Sequence, residues 1–221
     1  RLAHVHRRRS AVAAMNELPP VCPDGDPGAY DTLVLGRGTI LWADEGFGIR
    51  CVEARNARYR FPDRVRVMDG GTQGIFLLPW VRSASQLLIF DAVDYGLEPA
   101  TLRLIRGEDV PRFMGVKKMS MHQAGFQEVL SSAELSGELP ASLALVGVQP
   151  ALLDDYGGSL TPGVKAQIEP AIDLACEVLA DWGIQVARRE KPPVNDDLIG
   201  PGALEMGDYE EGRPIIAGDN R

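Results

Sequence analysis

Residues 32–52, TLVLGRGTILWADEGFGIRCV, contain a short apolar run, a glycine-rich turn and then apolar residues at helical spacing. The apolar run at 32–35 has the length of a buried strand, and Phe47, Ile49 and Val52 mark one side of the helix that follows. A strand followed by a helix in this way is the first half of a βαβ unit. The stretch therefore predicts an α/β fold built on parallel strands.

The same alternation continues along the chain. Strands are predicted at residues 65–68, 86–90, 102–105 and 143–148, and helices begin near residues 75, 107, 120 and 161. The last helix is expected to run to about Trp182, with a kink at Pro170 and a stop at Gly183. This order predicts a mostly parallel sheet that is covered by helices on both faces.

Both ends of the chain differ in composition from its centre. Residues 1–30 are rich in Arg, Pro, Gly and Asp without hydrophobic periodicity, and residues 184–221 carry prolines and glycines among charged residues. Segments of this kind bury too little apolar surface to fold alone. The sequence thus predicts a flexible N-terminal extension at 1–30, one domain at 31–183 and a flexible acidic tail at 184–221.

The composition excludes several classes of partner. Acidic side chains outnumber basic ones by 31 to 23, which gives a formal net charge of −8, whereas proteins that bind nucleic acid or anionic membranes usually present a basic face. No apolar run approaches the roughly 20 residues that span a bilayer. Three widely spaced cysteines offer neither a disulfide framework nor a Cys-x-x-Cys pair. We expect a cytoplasmic monomer that neither binds nucleic acid nor inserts into a membrane.

Two carboxylates and one histidine fall where strands or turns lead into helices. Glu45 lies at the entry to the first helix, Asp91 is the first polar residue after the third predicted strand, and His122 lies in the first turn of a helix that Ser120 is expected to cap. Ligands of open parallel sheets bind at the carboxyl ends of the strands, so these side chains are expected to lie together. Two carboxylates and an imidazole suit nickel or zinc and leave coordination positions for a substrate.

Each of these residues also has a simpler interpretation. Asp44 and Glu45 are the kind of pair that caps a helix, Asp91 is suited to ending a strand, and His122 is compatible with an ordinary first turn. Asp94, one turn after Asp91, is a competing ligand. These alternatives stay open on spacing alone.

Other motifs give weaker indications of a catalytic or binding site. The stretch DGGTQG at residues 69–74 fits either backbone N–H groups that face an anion or peptide carbonyl, or a tight turn between strand and helix. The GRG at 36–38 lacks the third glycine of a dinucleotide site, since residue 41 is leucine. No Gly-x-Ser-x-Gly elbow is present, and Cys51 and Cys176 fall inside helical patterns. Serine or cysteine peptidase chemistry is therefore not indicated.

Several motifs, in one order, resemble those of the hydrogenase maturation proteases. They are LVLGRG at 33–38 with DEGFG at 44–48, DGGTQG at 69–74, LIFDA at 88–92, KKMSMHQ at 117–123 and LVGVQP at 145–150. The resemblance covers about residues 31–183. Phe47, Tyr95 and YGG at 156–158 look closest to the branch that serves membrane-bound uptake hydrogenases. Arg37 is a departure, because relatives often carry a smaller residue between the two glycines.

The resemblance implies a three-layer sandwich: a twisted, mostly parallel five-stranded sheet with helices on both faces. It implies a metal-dependent endopeptidase of the aspartyl or metal type, with ligands at Glu45, Asp91 and His122 and a contribution of Asp69 to substrate handling or activity. The substrate would be the large-subunit precursor of a nickel-iron hydrogenase, which loses a C-terminal peptide after nickel insertion. The nickel would come with this substrate and act as the recognition signal.

One mechanistic hypothesis and two other functions accompany this interpretation. The metal would polarise the scissile carbonyl or a bound water, with Glu45 or Asp91 as the base. Because no orthodox protease nucleophile is present, the chain is also compatible with a non-catalytic nickel checkpoint or assembly chaperone that binds the large subunit. The third possibility is a related α/β peptidase, such as a spore-type protease, that cuts substrates without nickel.

Overall fold

The computed structural model describes residues 30–116, 121–191, 199 and 206–211, without the side chains of 115, 116, 121–124 and 208. Its strands are β1 (Thr32–Arg37), β2 (Tyr59–Arg60), β3 (Val65–Gly71), β4 (Gln86–Ala92), β5 (Leu102–Arg106), β6 (Ser142–Val148) and β7 (Ala187–Arg188). Its helices are α1 (Phe47–Arg58), α2 (Leu78–Ser83), α3 (Asp109–Val116), α4 (Met121–Leu135), α5 (Pro162–Lys165), α6 (Ile168–Asp181) and α7 (Met206–Glu211). Two 3-10 turns, Ala43–Gly46 and Gly74–Leu77, precede α1 and α2.

Five strands form one sheet in the order β3-β1-β4-β6-β5. Strands β1, β3, β4 and β6 are parallel, while β5 runs antiparallel to β6 at one edge. The carboxyl ends of the four parallel strands therefore meet at one edge of the sheet, which we call the carboxyl edge. The prediction of a mostly parallel five-stranded sheet is confirmed.

Helices cover both faces because side chains alternate along each strand. Leu33 and Leu35 of β1 belong to a core that includes Trp80 of α2 and Phe126 of α4. Val34, on the other face, belongs to a second core that is formed with α1 and α6. The predicted three-layer sandwich is confirmed, and none of the described helices is long and apolar enough to cross a membrane.

Glycines allow α1 to begin directly against the sheet. A Cβ atom on Gly48 would lie 2.3 Å from the carbonyl oxygens of both Arg37 and Phe90, and one on Gly36 would lie 2.5 Å from the carbonyl oxygen of Gly48. Only residues without a side chain permit this approach. It places the 3-10 turn that contains Glu45 beside the ends of β1 and β4.

Several predicted boundaries were too short or misplaced. Strand β1 continues to Arg37 and β3 continues to Gly71, so both include residues that we assigned to loops. The last predicted helix is interrupted between Lys165 and Ile168. Pro170 causes no kink there, because it occupies the first turn of α6, where a backbone N–H would have no partner within the helix.

The end of α6 follows the prediction. Gly183 adopts a φ of 75°, and the N–H of Ile184 donates to the carbonyl of Leu179. This left-handed residue after the last turn is a common way to end a helix.

Parts of the segment that we predicted to be a tail contact the domain. Strand β7 pairs with β2, and Glu210 of α7 accepts hydrogen bonds from Lys165 at 2.7 Å and from Ser159 at 2.7 Å. These elements are too short to fold alone and use partners on the domain. Residues 1–29, most of the predicted N-terminal extension, lie outside the described residues, and the domain boundaries stay a prediction.

Candidate active site

Asp91 forms a buried ion pair with Arg37 at the carboxyl edge. The two residues lie near the ends of the neighbouring parallel strands β4 and β1, and Nη1 of Arg37 donates to Oδ2 of Asp91 at 3.0 Å. The side chain of Asp91 is only 5% exposed and that of Arg37 only 1%. The guanidinium also lies 4.3 Å above the ring of Phe126 in α4. The alternative that Asp91 only ends a strand is therefore incomplete, because its carboxylate has a specific buried partner.

Burial dominates the electrostatics of this pair. It raises the pKa of Asp91, and the guanidinium of Arg37 and the N–H of Ala92 oppose this rise without cancelling it. Burial likewise lowers the pKa of Arg37, against the attraction of Asp91. Both directions express the cost of removing a charge from water. Each partner is needed by the other, because a single buried charge would be destabilising.

Asp44 is a structural anchor rather than a helix cap. Its fully buried carboxylate accepts hydrogen bonds from the N–H groups of Ala151 at 2.8 Å, Leu152 at 3.0 Å and Thr161 at 2.7 Å, and from the hydroxyl of Thr161 at 3.1 Å. No side-chain hydrogen bond caps the 3-10 turn or α1. Asp44 thus fixes the segment after β6 onto the loop that carries Glu45.

Glu45 lies in the 3-10 turn at the entry to α1, half-buried, and its N–H donates to the carbonyl of Trp42. The turn requires an unusual backbone, since Ala43 adopts a φ of 42°. It also packs on Gly38, where a Cβ atom would lie 1.8 Å from the carbonyl oxygen of Glu45. The tight loop places Glu45 near the end of β1 while leaving its side chain partly accessible.

His122 is the second residue of α4, as predicted, and its side chain lies outside the described residues. Phe126, four residues later in the same helix, contacts the guanidinium of Arg37. The N-terminal half of α4 is placed by a close approach between Gly125 and Gly74 of the turn after β3.

Asp69 lies within β3, two strands from Asp91 in the sheet order. Its Oδ1 accepts a hydrogen bond from the N–H of Gly71 at 2.7 Å. Burial raises its pKa, while the hydrogen bond and Arg50 lower it. Gly71 and Gly74 both adopt left-handed conformations, which favours the tight-turn interpretation of the stretch at 69–74.

Asp94, the competing ligand, belongs to a loop network. It accepts hydrogen bonds from the N–H of Gly96 at 2.8 Å and from Nε2 of Gln149 at 2.9 Å. Gln149 is buried, and its Oε1 also accepts the N–H groups of Tyr95 and Leu97. Our sequence reasoning missed Gln149, for which only its position at the end of the last strand was a signal.

A cavity of about 560 Å³ lies beside β5 and is lined in part by Asp94. Tyr95 lines it and places its hydroxyl against Gly147, which is the register partner of Asp91. Burial raises the pKa of Tyr95, and the negative charge of Asp91 adds to this rise. Phe113 of α3 meets the Tyr95 ring edge-on at 6.1 Å. Tyr95 therefore links this cavity to the strand position beside Asp91.

The chemistry of the donors suits nickel. A carboxylate has about four acceptor positions, so Asp91 keeps positions beyond those used by Arg37 and Ala92. Carboxylate and imidazole ligands are compatible with nickel. Among the described side chains no group of three His, Cys, Asp or Glu residues is close enough to hold a metal ion. Since the His122 side chain is not described, the predicted set of three stays a prediction.

The two cysteines that the structure describes lie outside this site. Cys51 of α1 is buried, Cys176 of α6 is half-buried, and Cys22 lies outside the described residues. Burial raises the pKa of Cys51 well above its usual value, with the charge of Glu169 adding to the rise. A thiol of this kind is a poor nucleophile, in agreement with the sequence interpretation.

Comparisons with known proteins agree on one family. A family model described as hydrogenase maturation protease matches residues 49–178. The chain is 55% identical to the hydrogenase expression/formation protein HoxM of Azotobacter vinelandii, over 84% of this chain and 88% of that protein. It is 43% identical to the Hydrogenase 2 maturation protease of Escherichia coli, over 72% and 96% of the two chains. The hydrogenase maturating endopeptidase HybD from E. coli is a similar structure, with a TM-score of 0.69, 41% identity and coverage of 72% of this chain and 98% of that chain.

Proposed function

This chain belongs to the hydrogenase maturation protease family, and we propose that it cuts the C-terminal extension from a nickel-iron hydrogenase large-subunit precursor once nickel has been inserted. The chain is an endopeptidase, as the names of its relatives state. Its reaction is the hydrolysis of one peptide bond. The proposal adds the substrate's nickel as the condition for cleavage and the cytoplasm as the place where it occurs.

The observation that supports a protein as the substrate is an exposed apolar surface around the carboxyl edge, which we call the apolar rim. Its members are large apolar side chains that follow the ends of parallel strands: Leu41, Trp42, Ile75, Phe76 and Tyr156. The Trp42 and Tyr156 rings meet at 5.2 Å, which joins the loops after β1 and β6. Large exposed apolar side chains that gather at one edge of a sheet favour a protein interaction site.

The apolar rim and the candidate residues lie at the same edge. Trp42 is in the loop that carries Glu45, and Phe76 follows β3, which contains Asp69. A large partner seated on the rim would therefore cover the ion pair of Arg37 and Asp91. This arrangement supports cleavage within a folded protein substrate rather than in free peptides.

The different solvent accessibility of Glu45 and Asp91 suggests different chemical roles for them. Glu45 is half-buried and can accept a proton from water, whereas Asp91 is buried and held by Arg37. In the proposed step the water oxygen attacks the scissile carbonyl carbon, Glu45 takes the proton, and the same proton moves to the leaving amine as the C–N bond breaks. Asp91 and His122 would face the nickel that the substrate brings.

The similarity to HoxM and HupD proteins supports service to a membrane-bound uptake hydrogenase. The chain is 55% and 54% identical to two of these proteins, against 43% for the E. coli Hydrogenase 2 protease. The motif residues Phe47, Tyr95 and Tyr156 point in the same direction. The precursor of such an enzyme is the substrate to test.

Incubation of the purified protein with nickel-loaded and nickel-free precursor, followed by intact-mass analysis, tests the proposal. We expect a short C-terminal peptide to be lost only from the loaded form. The substitution Glu45→Gln should reduce the cleavage rate by at least about 100-fold without unfolding the protein, because it removes the base. Glu134→Gln, at an exposed position of α4, is the matched control and should cut normally.

Retained cleavage by Glu45→Gln would refute the assigned base. Cleavage of both precursors would refute the nickel condition and favour a peptidase of broader specificity. Stable binding of the loaded precursor without any change of mass would support a non-catalytic checkpoint.

A further inference from the structure

Arg37 places a positive charge beside the carboxylate of Asp91, which would face the substrate's nickel. The guanidinium lies 3.0 Å from Oδ2 of Asp91, and both side chains are almost completely removed from water. The ring of Phe126 fixes the guanidinium from the side of α4. Arg37 is therefore a permanent neighbour of this site, held by strand, carboxylate and aromatic ring.

A free divalent cation at Asp91 would lie close to this guanidinium. Two like charges at such a distance repel each other strongly where solvent screening is weak, as it is in a buried site. The cation would also have to compete with a charge-assisted hydrogen bond that Asp91 already accepts. Both effects disfavour hydrated Ni²⁺ or Zn²⁺ at Asp91.

Nickel that is already bound to the substrate has a different charge. Cysteine ligands coordinate as thiolates, each carrying one negative charge, so nickel surrounded by several thiolates is no longer a net cation. Arg37 does not repel such a centre, and its N–H groups are suited to anionic partners. The same side chain thus distinguishes two forms of one metal by their charge.

We propose that Arg37 is a specificity-determining positioning residue, which keeps free divalent cations from Asp91 and reserves this carboxylate for nickel held by the thiolates of the precursor. The inference rests on the proposed function in one respect, namely that Asp91 faces the substrate's nickel. It explains why a charged residue stands between two glycines at the end of a buried strand. It also assigns the requirement for loaded precursor to a named residue of this chain.

Isothermal titration calorimetry, with nickel chloride added to the full-length protein, tests the inference without any cleavage. We expect Arg37→Gln, which keeps a hydrogen-bond donor and removes the charge, to bind Ni²⁺ at least about tenfold more tightly than the unmodified protein. Arg37→Lys keeps the charge and should remain close to the unmodified protein. Adding Asp91→Asn to Arg37→Gln should abolish the gain.

The Asp91→Asn comparison also removes a background signal. Any nickel binding by other residues, such as His4 and His6, is common to every variant, so only heat that depends on Asp91 is counted. Circular dichroism establishes that each variant is folded. A folded Arg37→Gln protein without a gain in affinity would overturn the inference.

The unmodified protein provides a second measurement if Arg37→Gln fails to fold. Asp91-dependent binding of Ni²⁺ with a Kd of about 1 μM or below would overturn the inference, and no Asp91-dependent binding at that level would support it. In the cleavage assay Arg37→Gln should raise KM for loaded precursor more than it lowers kcat. If the unmodified protein cuts no precursor, the proposed function fails, while the nickel titration still decides the role of Arg37.

Discussion

Asp44 and Asp91 are both buried carboxylates near the carboxyl edge, and their partners separate their roles. Asp44 accepts four hydrogen bonds from the segment between Ala151 and Thr161, about as many as a carboxylate usually accepts. Asp91 accepts from Arg37 and Ala92 and keeps acceptor capacity. At the scale of single residues, the first builds the loop scaffold and the second remains able to meet a ligand.

Replacing Asp44 by Ala should destabilise the protein by about 3 kcal/mol, because it leaves buried N–H groups without an acceptor. Urea denaturation would measure the change in the free energy of unfolding. Asp173→Ala, on the exposed side of α6, is the control and should change it by less than about 0.5 kcal/mol. Equal effects of the two substitutions would contradict the anchoring role of Asp44.

Spacing alone could not separate the roles of Asp44 and Glu45, because the two residues differ by only one position relative to every motif. The backbone decides between them, since the left-handed Ala43 and the 3-10 turn direct Asp44 inward. Arg37 was also ambiguous for a physical reason. An arginine normally avoids the interior, and Arg37 is stable there because Asp91, distant in sequence, lies near the end of the neighbouring strand and pairs with it.

At the scale of secondary-structure elements, the start of α1 makes a tightly constrained contact with the sheet. Gly48 allows the helix to touch the backbone of β1 at Arg37 and of β4 at Phe90, so close contact between backbones sets the distance between helix and sheet. The strand and helix order followed from hydrophobic periodicity. Close contacts between backbones did not, because a glycine in the sequence does not reveal what approaches it.

The substitution Gly48→Ala should destabilise the protein by about 2 kcal/mol, since the new Cβ atom would overlap two carbonyl oxygens and force α1 away from the sheet. This shift would move Glu45 relative to Asp91. We therefore expect the rate of precursor cleavage, followed by intact mass, to fall by at least about tenfold.

The control for this prediction lies in the same helix. Ala57→Gly, at an exposed position of α1, should cost about 1 kcal/mol through helix propensity while leaving the start of the helix in place. Normal cleavage by Ala57→Gly shows that lower stability alone does not impair the enzyme. If Gly48→Ala also cut normally, the positioning role of this contact would be wrong.

At the scale of the whole molecule, parallel topology concentrates function at one edge. Four strands end there, and β3 and β4 carry Asp69 and Asp91 near their ends, while the loops that follow the strands supply Glu45 and the apolar rim. The edge was predictable, because parallel strands and their connecting helices require it. The apolar rim was not, since an exposed leucine or tryptophan in a loop has the same sequence signature as a buried one.

The apolar rim predicts where the precursor binds. Trp42→Ala and Phe76→Ala should each weaken binding of nickel-loaded precursor by about tenfold, which corresponds to about 1.4 kcal/mol, because exposed aromatic residues often dominate protein interfaces. All proteins in this comparison carry Glu45→Gln, so that the precursor stays intact while calorimetry measures its affinity. Leu135→Ala is the matched control, since Leu135 is 90% exposed at the far end of α4. A loss of affinity for Leu135→Ala equal to that for Trp42→Ala would indicate that the precursor binds another surface. Losses confined to the rim would indicate that the precursor binds with its scissile peptide at the edge where Glu45 and Asp91 lie.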